Sequence, residues 1–358
     1  MGVPGPRGAV HSPARRVPVG GVRPAGGGGS DVRRVLVTGG HGFVGSHLVR
    51  RLLAEGDRVR CLVRRDGVPD NLMDLPVELA VGDVTRPETL VRAVDGVDEV
   101  YHLAARLTAM SEAEMLRTNG GGTRHLVDAV ARAGGVARFV HCSSLAVAGP
   151  CEGAAPRTEA SDGRPVTWYG ASKALAERVV RGRAGPGLAY TIVRPPVVYG
   201  PRDRGLLSLF QTVARGLQPL LGRQPKHYSW VYGPDLADAL VVLGRHPATV
   251  GRSYYACHPE VTTMEAFVDT VARATGRRGV RLTLPDSLVR LLARVSDVVA
   301  QASGSPAMLT VDKTHELEAR AWVCSPEAAA RDAGWRAATP IERGVPATVA
   351  WLRKAGWI

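Results

Sequence analysis

The chain has 358 residues, enough to bury a sizeable core, and its 45% apolar and 22% charged residues are ordinary for a soluble globular enzyme. No run approaches eighteen uninterrupted apolar residues, which excludes a membrane-spanning helix. The formal charge of +13 comes from 42 arginines and four lysines spread along the chain with only 5% aromatic residues, so it reads as an arginine-rich habit and not as a nucleic-acid-binding stripe.

Residues 1–31 are rich in Gly, Pro and Arg and lack apolar periodicity, so a disordered tail is expected there. The tail has no apolar stretch of signal-peptide length, and Pro6 stands where a myristoylation signal needs Ser or Thr. From residue 33 the pattern changes. "RRVLVT" (33–38) is a β-branched run, "GGHGFVG" breaks it, and "FVGSHLVRRLLAEG" has helical spacing up to Gly56. Further apolar runs follow at 58–64, 77–83, 98–105, 137–144 and 189–196, with helical stretches between them at 111–133 and 166–182. Strands alternating with helices predict an α/β fold, a Rossmann-type doubly wound parallel sheet. Beyond residue 200 the pattern loosens, with helices expected at 264–275 and 286–300. The expected organisation is a dinucleotide-binding domain over 32–196, rejoined by about 228–250, and a smaller α/β substrate lobe made of 197–227 and 251–358. The five cysteines have no CxxC spacing and no His-rich neighbourhood, which predicts reduced thiols in a cytoplasmic protein and no metal site.

Gly39, Gly42 and Gly45 fall directly after the first strand and at the start of an apolar helix. Glycines so placed let the backbone turn tightly and approach a pyrophosphate at the helix N-terminus, so NAD or NADP is expected here. The second strand ends in Arg64 and Arg65, nineteen and twenty residues after Gly45. An acid at that place would meet the ribose 2′-hydroxyl of NAD, whereas arginine suits the 2′-phosphate of NADP. The expectation is therefore NADP in preference to NAD, with Asp66 just beyond in a loop.

Tyr169 and Lys173 stand four apart in a predicted helix, on one face. A free phenol is a poor base near neutral pH, but a neighbouring ammonium lowers its pKa. Lysine suits this task because a compact charge on a flexible stem reaches both phenol and ribose, which the planar arginine fork does not. Ser144, at the end of the fifth strand, is the expected donor to a carbonyl oxygen or alkoxide. Ser143 is read either as facing the nicotinamide or as capping the strand end.

Together "TGGHGFVG", "GDVTRPETL", "YHLAA", "NGGGTRHLVDA", "CSSLAVAG", "YGASK" and "RPPVVYGP" resemble, in order and spacing, the extended short-chain dehydrogenase/reductase family within the NAD-dependent epimerase/dehydratase superfamily. The resemblance covers about residues 33–250 well and the C-terminal part loosely. It implies that Phe43 and Val44 line the pyrophosphate and that Asp83 and Val84 hold the adenine. It also implies that Leu103, Ala104 and Ala105 run beside the cofactor, that Asn119 supports the active site and that Pro196 passes near the nicotinamide. A homodimer through 111–133 and 166–182 is likewise implied by the resemblance alone.

Two branches of that family compete. Sugar-nucleotide epimerases and dehydratases commonly carry Asn three residues after the arginine of "RPP", where this chain has Val197, and a tyrosine where "VAG" has Ala148. Both departures, with Arg64 and Arg65, favour the branch resembling 3β-hydroxysteroid dehydrogenases and dihydroflavonol reductases. The expected function is hydride transfer between NADP(H) and a secondary alcohol or ketone of a small, fairly apolar substrate. The alternatives are an NAD-dependent sugar-nucleotide epimerase or dehydratase and a non-catalytic cofactor-binding sensor. An intact Ser144, Tyr169 and Lys173 set argues against the last. In the C-terminal part, Leu288, Leu291, Leu292, Val295 and Val299 share one helix face. The plainer reading packs that face on its own lobe; the other makes it a lid or a membrane-touching surface.

Overall fold

The computed structural model describes residues 32–65, 67–151, 155–183 and 188–358; the N-terminal tail and Asp66 lie outside the described residues. The first strand, β1 (Arg34–Thr38), runs into α1 (Phe43–Ala54), followed by β2 (Arg58–Val63), β3 (Glu78–Val81), α2 (Leu90–Val94) and β4 (Glu99–His102). Then α3 (Glu112–Leu116), a π-helical turn over Arg117–Gly121 and α4 (Gly122–Ala133) form one bent unit ahead of β5 (Arg138–Cys142). Next come α5 (Trp168–Arg183), β6 (Tyr190–Arg194), β7 (Val197–Tyr199), α6 (Leu207–Ala214), β8 (Leu217–Leu221) and β9 (His227–Tyr232). They lead into α7 (Gly233–Arg245), β10 (Arg252–Tyr255), β11 (Val261–Thr263), α8 (Met264–Thr275) and β12 (Val280–Leu284). The remaining elements are α9 (Asp286–Ser303), α10 (Val311–Glu318), β13 (Ala321–Trp322), α11 (Glu327–Ala333) and α12 (Ile341–Lys354).

The main sheet has seven strands in the order β10-β6-β5-β4-β1-β2-β3, all parallel. Both faces are covered, so its strands read as continuous apolar runs. In β1, Val35 and Val37 belong to a core shared with Leu48 and Leu52 of α1 and Leu240 of α7, while Leu36 enters a second core with Leu126 and Val130 of α4 and Val180 of α5. The strand order reverses between β1 and β4, which opens a crevice at their carboxyl ends. A third core holds the second lobe, where Trp230 of β9 stacks on Phe267 of α8 at 4.0 Å. Strand β9 pairs with β7, β11 and β13, and β8 pairs with β12.

Several elements differ from the expectation. The seventh strand of the main sheet is Arg252–Tyr255, which the sequence reading places in the second lobe. The stretch 111–133 is two helices joined by the π turn and not one continuous helix. Strands β2 and β5 stop at Val63 and Cys142, leaving Arg64 and Ser144 in the loops beyond. The face of Leu288, Leu291, Leu292, Val295 and Val299 is exposed and does not pack on its own lobe; Val289, Ala293 and Ala300 make the contact instead. No helix among the described residues is long and apolar enough to cross a membrane.

Candidate active site

The glycine turn lies at the sheet's crevice. A Cβ on Gly45 would stand 2.0 Å from the Gly39 carbonyl oxygen, and one on Gly39 (φ 73°) would stand 2.8 Å from the Ala104 nitrogen. Both obstacles are backbone, so only glycine fits and the turn carries no side chains there. Gly42 donates its N–H to Gly39 O at 3.0 Å, and α1 then begins at Phe43 with no capping side chain and no acid in its first turn. The leading amides of Phe43, Val44 and Gly45 are thus left for an anion. A dinucleotide pyrophosphate fits this cradle.

Arg64 and Arg65 are exposed in the bend after β2, and neither side chain makes a hydrogen bond or ion pair with a described residue. The Arg64 charge nevertheless reaches the loops after β1 and β3. Burial holds the His41 ring below its ordinary pKa and the Arg64 charge adds to this. Burial pushes the Asp83 carboxyl up, but two bonds from Thr85 (2.8 Å each) and the charges of Arg64 and Arg86 outweigh it and leave the carboxyl low. Val84 is buried against Gly122, with its carbonyl 3.0 Å from His125 Nδ1. Leu103 and Ala104 are half-buried beside the glycine turn; Leu103 N–H donates to Thr38 O (3.1 Å) and Ala104 N–H to Thr38 Oγ1 (3.2 Å). Ala105 is exposed.

Asn119 sits in the π turn, almost fully buried. Its Oδ1 accepts from Arg106 N (2.8 Å), and its Nδ2 donates to Arg106 O (3.0 Å) and Ser172 Oγ (2.8 Å). Ser172 in turn donates to Tyr169 O at 2.7 Å, so Asn119 ties the loop after β4 to the helix that carries Tyr169. A second chain runs beneath it. His102 bridges Thr38 Oγ1 (2.7 Å) and Thr123 Oγ1 (2.9 Å), and Thr123 donates to Asn119 O (2.6 Å).

Tyr169 and Lys173 lie on α5, which passes close to the turn of Ser144 because a Cβ on Gly170 would stand only 2.6 Å from Ala146 O. Ser144 caps that turn, accepting from Ala146 N at 3.1 Å. Burial raises the Tyr169 phenol above its ordinary pKa, helped by Cys142 and Glu316, and the nearby Ser144 hydroxyl works against the rise. Lys173 is buried, with Nζ donating to Cys142 O at 2.6 Å. Burial also lowers its ammonium pKa, against the pull of Cys142 and Glu177. Pro196 follows β6 in a half-buried position, and Pro195 O accepts from Leu145 N (2.8 Å), which fixes the Ser144 turn beside it.

Glu177, Asp312 and Glu316 were not read from the sequence, and each holds a part of the site. Ser143, for which the sequence reading leaves two roles open, donates to Glu177 Oε1 at 2.6 Å. Glu177 also receives Arg194 through both carboxylate oxygens, at 2.8 and 2.6 Å. The second lobe contributes as well. Asp312 of α10 accepts from Trp168 N (3.1 Å), and Glu316 accepts from Thr167 Oγ1 (2.8 Å), so carboxylates from another element close the N-terminus of α5.

The sequence model of the NAD dependent epimerase/dehydratase family matches residues 35–257. The chain belongs to this family. It is accordingly an enzyme of the NAD-dependent oxidoreductase and epimerase kind in the short-chain dehydrogenase/reductase superfamily. Among its relatives, a ceramide reductase of Caulobacter vibrioides is 32% identical over 92% of this chain and 98% of its own length. A 3 beta-hydroxysteroid dehydrogenase/Delta 5-->4-isomerase of Mycobacterium tuberculosis is 32% identical over 73% of this chain and 74% of its own. Among solved structures, the UDP-glucose 4-epimerase of Thermus thermophilus in complex with NAD is 26% identical, with a TM-score of 0.73 over 90% of this chain and 99% of that one.

Proposed function

We propose that the protein is an NADP(H)-preferring oxidoreductase that interconverts a ketone and a secondary alcohol on a small, fairly apolar substrate. The observation that carries this reading is the approach of Ser144 and Tyr169, with Lys173 one turn along α5, at the same sheet edge as the glycine cradle. A nicotinamide held by the glycine cradle would supply the hydride for reduction and take it up in oxidation. Tyr169, kept protonated by burial, gives its phenolic proton to the carbonyl oxygen. The Ser144 hydroxyl donates a hydrogen bond to that oxygen as negative charge grows on it. After its bond to Cys142 O, Lys173 keeps two N–H donors for ribose hydroxyls.

The unpaired Arg64 and Arg65 support NADP over NAD, since a 2′-phosphate needs donors that no acid occupies. Val197 and the buried Ala148 offer no donor or acceptor side chain to a sugar diphosphate. The relatives named as a ceramide reductase and a 3 beta-hydroxysteroid dehydrogenase support the same reading. The likeness to a UDP-glucose 4-epimerase keeps a sugar-nucleotide reading as the rival.

The test starts with protein purified without added cofactor, denatured, and its released nucleotide identified by mass. The stripped protein is then titrated with NADPH and NADH. The expected result is little retained nucleotide and NADPH bound about tenfold tighter or more, a margin that Arg64→Ala removes. Tightly retained NAD with no NADPH margin would replace this reading with the epimerase.

A further inference from the structure

Helix α9 has three faces. Val289, Ala293 and Ala300 are buried on the lobe. Arg290, Arg294 and Asp297 form a polar face, on which Arg290 pairs with Glu318 at 3.1 Å and Asp297 accepts from Val311 N at 2.9 Å. The third face carries Leu288, Leu291, Leu292, Val295, Val298 and Val299, each between 39% and 67% exposed. Such a stripe is far more than the scattered apolar residue of an ordinary surface. It is also not isolated. Strand β12 leads into α9 through Pro285 and leaves Val280 and Leu282 exposed, with Leu217 of β8 exposed opposite Val280.

The charges around this surface are one-sided. Arg294 on α9, Arg277 and Arg278 just ahead of β12, and Arg223 beside Gly222 (whose N–H donates to Leu284 O at 2.9 Å) are all exposed. None of the four side chains has a hydrogen-bonding or ion-pair partner among the described residues. The neighbouring acids are engaged within the lobe: Asp269 by Arg281 at 2.7 Å, Glu318 by Arg290, and Asp286 by Lys226 at 3.6 Å. Surplus arginine therefore borders the apolar stripe.

We propose that this α9–β12 face docks the enzyme on an anionic lipid bilayer. The helix lies in the plane of the interface, with its leucines and valines among the acyl chains and the free arginines among the headgroups. A second copy of the chain fits less well, because an isologous contact would bring like arginines toward one another.

The experiment uses the full chain in flotation with vesicles of phosphatidylcholine alone and of equimolar phosphatidylcholine and phosphatidylglycerol, alongside light scattering to give the oligomeric state. Binding is expected to the anionic vesicles, weakly or not at all to the neutral ones, and to fall as salt rises. The double variant Leu291→Gln/Val295→Gln is expected to lose about tenfold or more in partitioning, at unchanged melting temperature and cofactor affinity. Arg294→Glu is expected to weaken binding to anionic vesicles and to restore nothing on neutral ones. Absence of flotation, or flotation unaffected by both variants, overturns the proposal. A dimer that Leu291→Gln/Val295→Gln splits, without flotation, would assign the face to a second copy instead.

Discussion

Lys173 is enclosed with its Nζ on the Cys142 carbonyl, and none of its contacts among the described residues is an ion pair. Burial lowers the pKa of this ammonium and raises that of Tyr169, so each group is held toward its neutral form, against the lowering of the phenol that the sequence reading expects of the ammonium. A guanidinium is broader, planar and permanently charged, and the space that one carbonyl and one compact ammonium fill would have to open for it. Lys173→Arg is therefore expected to lower kcat about 100-fold and to weaken cofactor binding, while Tyr169→Phe lowers kcat about 1000-fold and leaves cofactor affinity unchanged. Single-turnover hydride transfer and a cofactor titration separate the two outcomes. The raised phenol also sets the pH profile: reduction holds its rate as pH rises until Tyr169 ionises, whereas oxidation gains over the same range. A Tyr169→Phe enzyme that turns over normally would remove Tyr169 from the chemistry. Tyr169 and Lys173 were legible in the sequence because helical spacing alone puts them together. Glu177 stands one turn further on the same face and was open to the same argument, although its partners Ser143 and Arg194 come from two other elements. Asp312 and Glu316 were not legible at all, since 144 and 149 residues separate them from the backbone and side chain they hold.

Strands β4 and β5 place His102 opposite His141, with ring centroids 5.3 Å apart beneath Lys173. Burial, with the Lys173 charge, pushes His102 down to about 3 and His141 well below its ordinary value. Burial likewise takes His47 on α1 to about 4, with Arg202 and Arg50 adding to the fall and the Pro201 carbonyl resisting it. Each ring is neutral in the folded protein. In the unfolded chain each takes up a proton as pH drops below about 6.5, so acid favours unfolding. Stability from these depressed groups is present above the unfolded value and is lost as pH falls toward the folded ones. The expected slope is about 1.4 kcal/mol per pH unit for each ring, acting together between about pH 6 and pH 4.5. Urea denaturation across that window reads it directly, and equal stability at the two ends would show that the rings are solvated. The strands themselves were readable from their apolar runs, but the pairing of one histidine with another was not, because register between β4 and β5 is set by the packed sheet. Nor could periodicity show the π turn at Asn119 or say that no described residue covers the leucine and valine face of α9: it reports which residues share a face, and not what lies against that face.

The chain passes repeatedly between the main sheet and the second lobe. It leaves after β6, returns through α7, closes the sheet with β10 and leaves again at β11; Arg157 then bridges back to Cys324 near the chain's last strand. Leu145 and Ala148, next to Ser144, pack into the same core as Trp230 and Phe267. Neither part can lose its structure without exposing apolar surface of the other, so one cooperative transition is expected. Phe267→Ala removes the ring stacked on Trp230 and is expected to cost about 3–5 kcal/mol. Cofactor held by the glycine cradle at about 100 times its Kd is expected to add about 2.7 kcal/mol, although no lobe side chain belongs to that cradle. Tryptophan fluorescence reports mainly on the lobe, through Trp230, Trp322, Trp351 and Trp357, whereas circular dichroism follows the whole chain. Both signals should therefore move together, up with NADPH and down with Phe267→Ala. A fluorescence transition that ignored NADPH while the dichroism shifted would mean that the lobe melts on its own. In that case the Ser144 turn, rooted in the lobe's core, would come loose before the cradle does, and catalysis would fail at temperatures where cofactor still binds.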